Sequence, residues 1–185
     1  DFKMISPIAN KLLRITSSYE KSSTNMTSPD NEVSPLEVFK SWYRTASPWF
    51  LGRWLRRLYP PLSLHQPDAM ALATASNTGA PSARMVLFKG LNKDGFIFYT
   101  NYQSRKGQEL TENPQVAAVF HWGFPERQVR IEGRAVLMSE EDSLKYWNSR
   151  SRGSRISAIA SPQSRPIENR SLLQKWVQET ENKFR

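Results

Sequence analysis

The sequence predicts an antiparallel β-barrel with flanking helices, a mainly β fold of the α+β class. Three observations point to it. Five short segments alternate apolar and polar residues. Gly-containing tight turns join the first three of them. The five strands are short and joined mostly by turns, which argues for an antiparallel barrel and not a parallel sheet.

Residues 1–33 are rich in Ser, Thr and Asn and show no sustained periodicity, so they read as a disordered arm. Within them, MISPIANKLLRITSSYEKSS is hydroxylated, weakly basic and free of acid until Glu20, as a transit segment would be. An ordinary disordered tail has the same composition, and both readings stand. Residues 34–66 form a second region. Ser34 caps a helix, Pro35 suits its first position and Glu37 completes a capping box, with Leu36, Phe39, Trp42 or Tyr43, and Ala46 at helical spacing. PWFLGRWLRRLYPP follows, with Trp49, Trp54, Arg53, Arg56 and Arg57 and no acid. It suits either a nucleic-acid or lipid surface, or aromatics packed on the domain with solvated arginines.

The third region, 67–185, holds the strands: 69–75, 83–90, 95–101, 115–122 and 127–139. Asn77-Thr78-Gly79 and Lys93-Asp94-Gly95 supply turns. In the last strand Val129, Ile131, Gly133 and Ala135 share one face and Gln128, Arg130, Glu132 and Arg134 the other, so one face is wet. Ser139-Glu140-Glu141-Asp142 opens a helix through about Arg150. Gly153 is expected to break it before a segment at 154–160, and Ile167 to about Lys183 reads as a terminal helix.

Composition narrows the chemistry. The chain has 185 residues, no cysteine and two distant histidines, His65 and His121. That excludes disulfides, zinc–thiolate sites, iron–sulfur clusters and cysteine nucleophiles, and argues against a histidine-rich metal site. No apolar run approaches the roughly 20 residues of a membrane helix, so the expectation is a soluble protein without a membrane partner. The excess of 26 Lys+Arg over 17 Asp+Glu, a net +9, calls for an anionic partner of unspecified kind.

Ordered cations suggest where that anion binds. Arg84 and Lys89 bracket the strand RMVLFK, and cations at both ends of an apolar strand are costly unless an anion or water meets them. In Tyr99-Thr100-Asn101-Tyr102-Gln103-Ser104-Arg105-Lys106, a strand runs into a helix capped by Ser104 that continues to about Leu110. Arg105 and Lys106 then stand in a first helical turn, where cations oppose the helix dipole unless a bound anion offsets them. A third cluster, Tyr146, Arg150, Ser154, Arg155, Gln163 and Ser164, either holds a second phosphorylated ligand or is a solvated helix face. There is no GxGxxG, P-loop, HExxH or nucleophile elbow, and the acids are not paired for proton transfer. An enzyme built on this chain would therefore draw its chemistry from a cofactor.

From about Pro67 to Arg170 the segments PDAMALATA, PSARMVLFKG, GFIFYTNYQSRKGQEL, NPQVAAVFHW, ERQVRIEG, YWNSR and SRISAIASPQS resemble, in order and spacing, the pyridoxine (pyridoxamine) 5′-phosphate oxidases of vitamin B6 salvage. The resemblance implies an FMN-binding split β-barrel, a homodimer with FMN at the subunit interface. It places the flavin on Arg84, Met85, Val86, Leu87, Phe88, Lys89, Tyr99, Thr100, Arg105, Lys106, Gln128, Gln163 and Ser164. Arg84, Arg105, Lys106 and Ser164 would meet the FMN phosphate, and Gln128 and the strand around Val86 the isoalloxazine ring. The substrate phosphate falls on Lys89, Tyr146, Arg150 and Ser154. No side chain is implied as acid or base. The implied reaction oxidises pyridoxamine 5′-phosphate or pyridoxine 5′-phosphate to pyridoxal 5′-phosphate, with hydride passing to flavin N5 and O₂ giving H₂O₂. Location would be cytoplasmic, or mitochondrial if the arm is a transit segment.

Family members continue past the terminal helix into strands carrying a Trp-containing segment and an Arg-Leu-His-Asp-Arg motif, which this sequence, ending at Arg185, does not include. The second reading is accordingly a truncated, catalytically weak or inactive FMN- or PLP-binding split barrel. The third, a basic nucleic-acid module, rests on the net charge and the Trp/Arg stretch, and predicts affinity falling steeply with salt; the expectation is that nucleic acid is not a partner.

Overall fold

The structure, a computed structural model, describes residues 10–16, 34–47, 66–123 and 126–184. Six antiparallel strands close a barrel: β1 (Asn10–Thr16), β2 (Ala69–Ala75), β3 (Pro81–Asn92), β4 (Gly95–Asn101), β5 (Gln115–Trp122) and β6 (Arg127–Leu137). Their order around the barrel is β1-β4-β3-β2-β5-β6, with β1 also pairing with β6. Among the described residues five helices accompany them: α1 (Pro35–Ala46), α2 (Arg105–Glu112), α3 (Glu140–Ser149), α4 (Arg152–Ala160) and α5 (Arg170–Lys183). No helix among the described residues is long and apolar enough to cross a membrane.

Strand β1 corrects the reading of residues 1–33 as a disordered arm. Leu13 and Ile15 alternate inward, 2% and 0% exposed, while Arg14 pairs with Asp94 at 2.7 Å. Without this strand β4 and β6 would each present an open edge. The rest of the arm, and the Trp/Arg stretch as far as His65, lie outside the described residues.

The barrel interior is aromatic. Phe39, on α1, stands 4.8 to 5.9 Å, centroid to centroid, from Phe88, Phe96, Phe120 and Trp122, so this helix contributes a ring to the core. Ser34 caps α1 through the Leu36 N–H, but Glu37 turns to Lys40 and does not close the capping box. Strand β6 alternates as its sequence requires, with Ile131 and Ala135 buried and Gln128, Arg130, Glu132 and Arg134 exposed.

Several boundaries differ from expectation, and the strand expected at 83–90 runs over Pro81–Asn92. The break after α3 falls at Arg150, which is extended, because the Ser151 hydroxyl caps α4; Gly153 lies inside the new first turn. Helix α5 starts at Arg170, not Ile167, because the Asn169 side chain accepts from the Leu172 N–H at 2.8 Å. Strand β6 ends at Leu137, where Ser139 caps α3 by accepting from the Asp142 N–H.

Candidate functional site

Two strands and three helices bound a cleft of about 380 Å³ on the outside of the barrel. One wall is β3. Its inward residues Val86 and Phe88 fill the core, which turns Met85, Leu87 and Lys89 outward, leaving Met85 63% and Leu87 41% exposed. The register against β4 shifts between Phe88 and Gly90, so Lys89 sits on a β-bulge at the cleft. Tyr99, Thr100 and Asn101 at the end of β4 form the floor.

The chain then turns into α2. Asn101 accepts from the Gln103 N–H at 2.8 Å, and its carbonyl accepts from the Ser104 hydroxyl at 2.6 Å. Ser104 caps the helix through the Gly107 N–H, which brings Lys106 to the cleft with its Nζ donating to the Ser104 hydroxyl at 3.2 Å. Burial, and behind it the Arg84 charge, lower the Lys106 pKa from its ordinary value. An anion bound here would oppose both effects.

Helices α3 and α4 supply the facing wall: Tyr146, Arg150, Ser154 and Ala158, with Gln163 in the turn beyond. Tyr146 stands 4.8 Å from the Tyr99 ring, and the Arg150 guanidinium lies 5.0 Å from the same ring. Burial pushes the Tyr99 phenol up to about 12, although the neighbouring Arg150 charge pulls the other way, so it stays a neutral donor at any ordinary pH. Arg150 is felt electrostatically at Tyr99, yet Tyr99 Oη and Arg150 Nη1 are buried with no hydrogen bond of normal geometry. Buried donors left in this way suit a ligand that supplies acceptors. A recess lined by Arg150, Gly153, Ser154, Ser157, Ser161 and Gln163 opens beside them.

Of the residues that the resemblance places at the flavin or the substrate, Met85, Val86, Leu87, Lys89, Tyr99, Thr100, Lys106, Tyr146, Arg150, Ser154 and Gln163 line this one cleft. Five do not. Phe88 is in the core, 7% exposed. Arg84 and Arg105 both reach Glu109 beneath α2. Ser164 is exposed in the turn after Gln163, at φ +64°. Gln128 is exposed on β6 opposite His121, and His121 lines a second groove with Gln66, Ala69, Ala71, Val119 and the outer side of Met85–Leu87. Met85 and Leu87 are thus shared by the cleft and this groove.

Sequence reasoning missed Asn101 and Ala158 in the cleft, and Glu109 with its partners Thr74 and Ser82. A signal for the last group existed: Arg105 and Glu109 are one helical turn apart, and Thr74 and Ser82 are hydroxyls at inward positions of β2 and β3.

Residues 62–184 match the family described as pyridoxamine 5′-phosphate oxidase. The chain belongs to this family. A pyridoxine/pyridoxamine 5′-phosphate oxidase of Rubrobacter xylanophilus is 50% identical over 133 residues, 72% of this chain and 61% of its own length. One from Acaryochloris marina is 45% identical over 152 residues, 82% of this chain and 64% of its own length. The chain spans about three fifths of the length of these oxidases. Among solved structures, PhzG from Burkholderia lata, in complex with tetrahydrophenazine-1-carboxylic acid, superposes with a TM-score of 0.71. It is 30% identical, over 88% of this chain and 76% of its own. A pyridoxamine 5′-phosphate oxidase-related, FMN-binding protein of Nostoc punctiforme shares the fold, with a TM-score of 0.57 and 17% identity over 78% of this chain and 73% of its own. The split barrel expected from the sequence is therefore the fold of this chain.

Proposed function

We propose that this member of the pyridoxamine 5′-phosphate oxidase family binds FMN and oxidises pyridoxamine 5′-phosphate or pyridoxine 5′-phosphate to pyridoxal 5′-phosphate, with O₂ as acceptor and H₂O₂ as second product. The observation that carries the reading is the convergence of cations on one cleft from opposite sides, Lys106 with the α2 N-terminus on one and Arg150 with Ser154 on the other. Two anionic groups brought to one apolar-walled cleft are what a flavin phosphate and a substrate phosphate would be. The donor set fits: Arg150 Nη1 and Tyr99 Oη are buried without a hydrogen bond of normal geometry, and Met85, Leu87 and Ala158 offer apolar surface to flat rings.

FMN, when bound, supplies the hydride acceptor and the route to O₂. The chain's own residues bind and orient. Arg84, Arg105 and Lys106 would neutralise the flavin phosphate and Ser164 would donate to it; Met85, Val86, Leu87, Phe88, Tyr99, Thr100, Gln128 and Gln163 would hold the rest. Phe88 is core-packed, so it would contribute through its backbone. Lys89, Tyr146, Arg150 and Ser154 would fix the substrate phosphate and set the ring against the flavin, an orientation effect that accounts for much of the rate in such chemistry.

A homodimer belongs to this reading. Gln128 lies towards the groove of His121, Ala69, Ala71 and Val119, on the far side of the Met85–Leu87 ridge from the cleft. A second copy seated on that exposed apolar face would bury it and put the flavin at the interface. Similarity to PhzG, solved in complex with tetrahydrophenazine-1-carboxylic acid, supports a second reading, an oxidase acting on a fused-ring carboxylic acid in place of a phosphorylated pyridine. Loading the chain with FMN and supplying pyridoxamine 5′-phosphate in air separates the two. Formation of pyridoxal 5′-phosphate with peroxide supports the first, and its absence while other ring substrates turn over supports the second.

A further inference from the structure

Beneath α2 the Glu109 carboxylate, 8% exposed, gathers four side chains. It accepts from Arg105 Nε at 2.8 Å, from Arg84 Nη2 at 3.1 Å, from the Ser82 hydroxyl at 2.7 Å and from Thr74. Arg84 is fixed further, Nη1 donating to the Leu72 carbonyl at 3.2 Å and to Thr74, Nη2 to Ser82. Glu109 takes Arg105 by Nε, which leaves both of its terminal nitrogens outside the clasp. Arg105 is otherwise a 62% exposed side chain on a first helical turn. Arg84 is near enough to Lys106 to depress its pKa, so the clasp is contiguous with the cationic end of the cleft.

We propose that Glu109 is a positioning residue that fixes Arg84 and Arg105 so that their charge converges on the phosphate of a bound flavin. This rests on the reading of the cleft as a flavin site. Two physical effects oppose one another here, and their signs differ. As an anion near the site, Glu109 should repel a phosphate, so removing its charge should tighten binding. As a clasp, it spares Arg105 the loss of rotamer freedom on meeting the ligand and keeps Arg84 paired, so removing it should weaken binding. The clasp dominates because both carboxylate oxygens are already met by donors, two of them the arginines it holds.

The test is titration of the 185-residue chain with FMN and with riboflavin, which lacks the phosphate, read by quenching of flavin fluorescence. The preference for FMN over riboflavin isolates the phosphate site from general stability. Glu109→Gln should cut that preference by about tenfold, a typical loss for a charge-assisted pair, with riboflavin affinity unchanged. Glu109→Asp should recover part of it, and in an Arg105→Ala background Glu109→Gln should have a smaller effect. If Glu109→Gln does not fold, Ser82→Ala, which removes one donor to the carboxylate, should lower the same preference. A wild-type preference for FMN that the variants retain or exceed would overturn the positioning role and leave the flavin reading standing. A wild-type chain that binds FMN no better than riboflavin would overturn both.

Discussion

The Arg150 guanidinium lies 5.0 Å from the Tyr99 ring and 5.5 Å from the Trp147 ring, joining the end of α3 to the floor of the cleft on β4. Its Nη2 donates to the Ser154 carbonyl at 2.9 Å, while Nη1 is buried without a hydrogen bond of normal geometry. The side chain is held at both ends and still has a donor to give. In the proposed oxidase, Arg150→Ala should raise KM for phosphorylated substrates roughly 10- to 100-fold, the worth of hydrogen bonds to a charged group, and leave bound flavin in place. Steady-state kinetics beside the visible flavin spectrum checks this; loss of flavin would refute the division between the two anion positions.

Arg105→Ala addresses the other position. Two cations in the first turn of α2 are locally unfavourable without an anion, and Arg105 has no buried packing role, being 62% exposed. FMN affinity should fall about tenfold, with only a small loss of melting temperature because Glu109 keeps its bonds from Arg84, Ser82 and Thr74. An unchanged affinity would remove Arg105 from the phosphate site.

Helix α2 must approach the preceding turn closely. A Cβ at Gly107 would stand 2.3 Å from the Tyr102 carbonyl oxygen, a backbone atom that cannot swing aside. Gly107→Ala should cost about 1–3 kcal/mol, as overpacking does, and should displace Lys106 from the cleft. Chemical denaturation together with FMN titration measures both consequences.

Glu109 also sets an acid limit. Burial raises its pKa, but hydrogen bonds from Thr74, Ser82, Arg105 and Arg84 outweigh that and hold it down to about 2, below the ordinary 4.5. A carboxyl depressed in the folded state contributes stability above its unfolded pKa and loses it as pH falls through the folded one. Stability should therefore decline between about pH 4.5 and about pH 2, and Glu109→Gln should flatten that limb. Thermal melts across the range would show it.

The proposed dimer makes its own prediction. Leu87→Glu puts a charge on an exposed apolar face beside Ala69, Ala71 and Val119 without touching the core. Sedimentation should show a dimer for the native chain and a monomer for the variant, with flavin binding weakened in step. A native chain that carries flavin as a monomer would contradict the architecture.

The strands with strong alternation were legible because each has one face in an aromatic core, and the caps at Ser34, Ser104 and Ser139 were legible because a hydroxyl before a helical run has a local hydrogen-bonding reason. Strand β1 was not. Its two inward residues, Leu13 and Ile15, sit in a Ser/Thr-rich stretch, and what makes them a strand is pairing with β4 and β6, more than 80 residues away. The cations of the cleft were visible as charges out of place. Glu109 was not visible as their partner, because the hydroxyls that saturate it come from β2 and β3 and meet it only in the closed barrel. Gln128 lies apart from the cleft because β6 contributes none of its lining: it is exposed opposite His121 on the neighbouring strand.

The most direct measurement is anaerobic addition of pyridoxamine 5′-phosphate to the FMN-loaded chain while its visible flavin band is recorded. If the cleft holds both phosphates and sets the substrate against the flavin, the band bleaches and returns when air is admitted, with pyridoxal 5′-phosphate formed. A flavin that stays oxidised at saturating pyridoxamine 5′-phosphate would contradict that account.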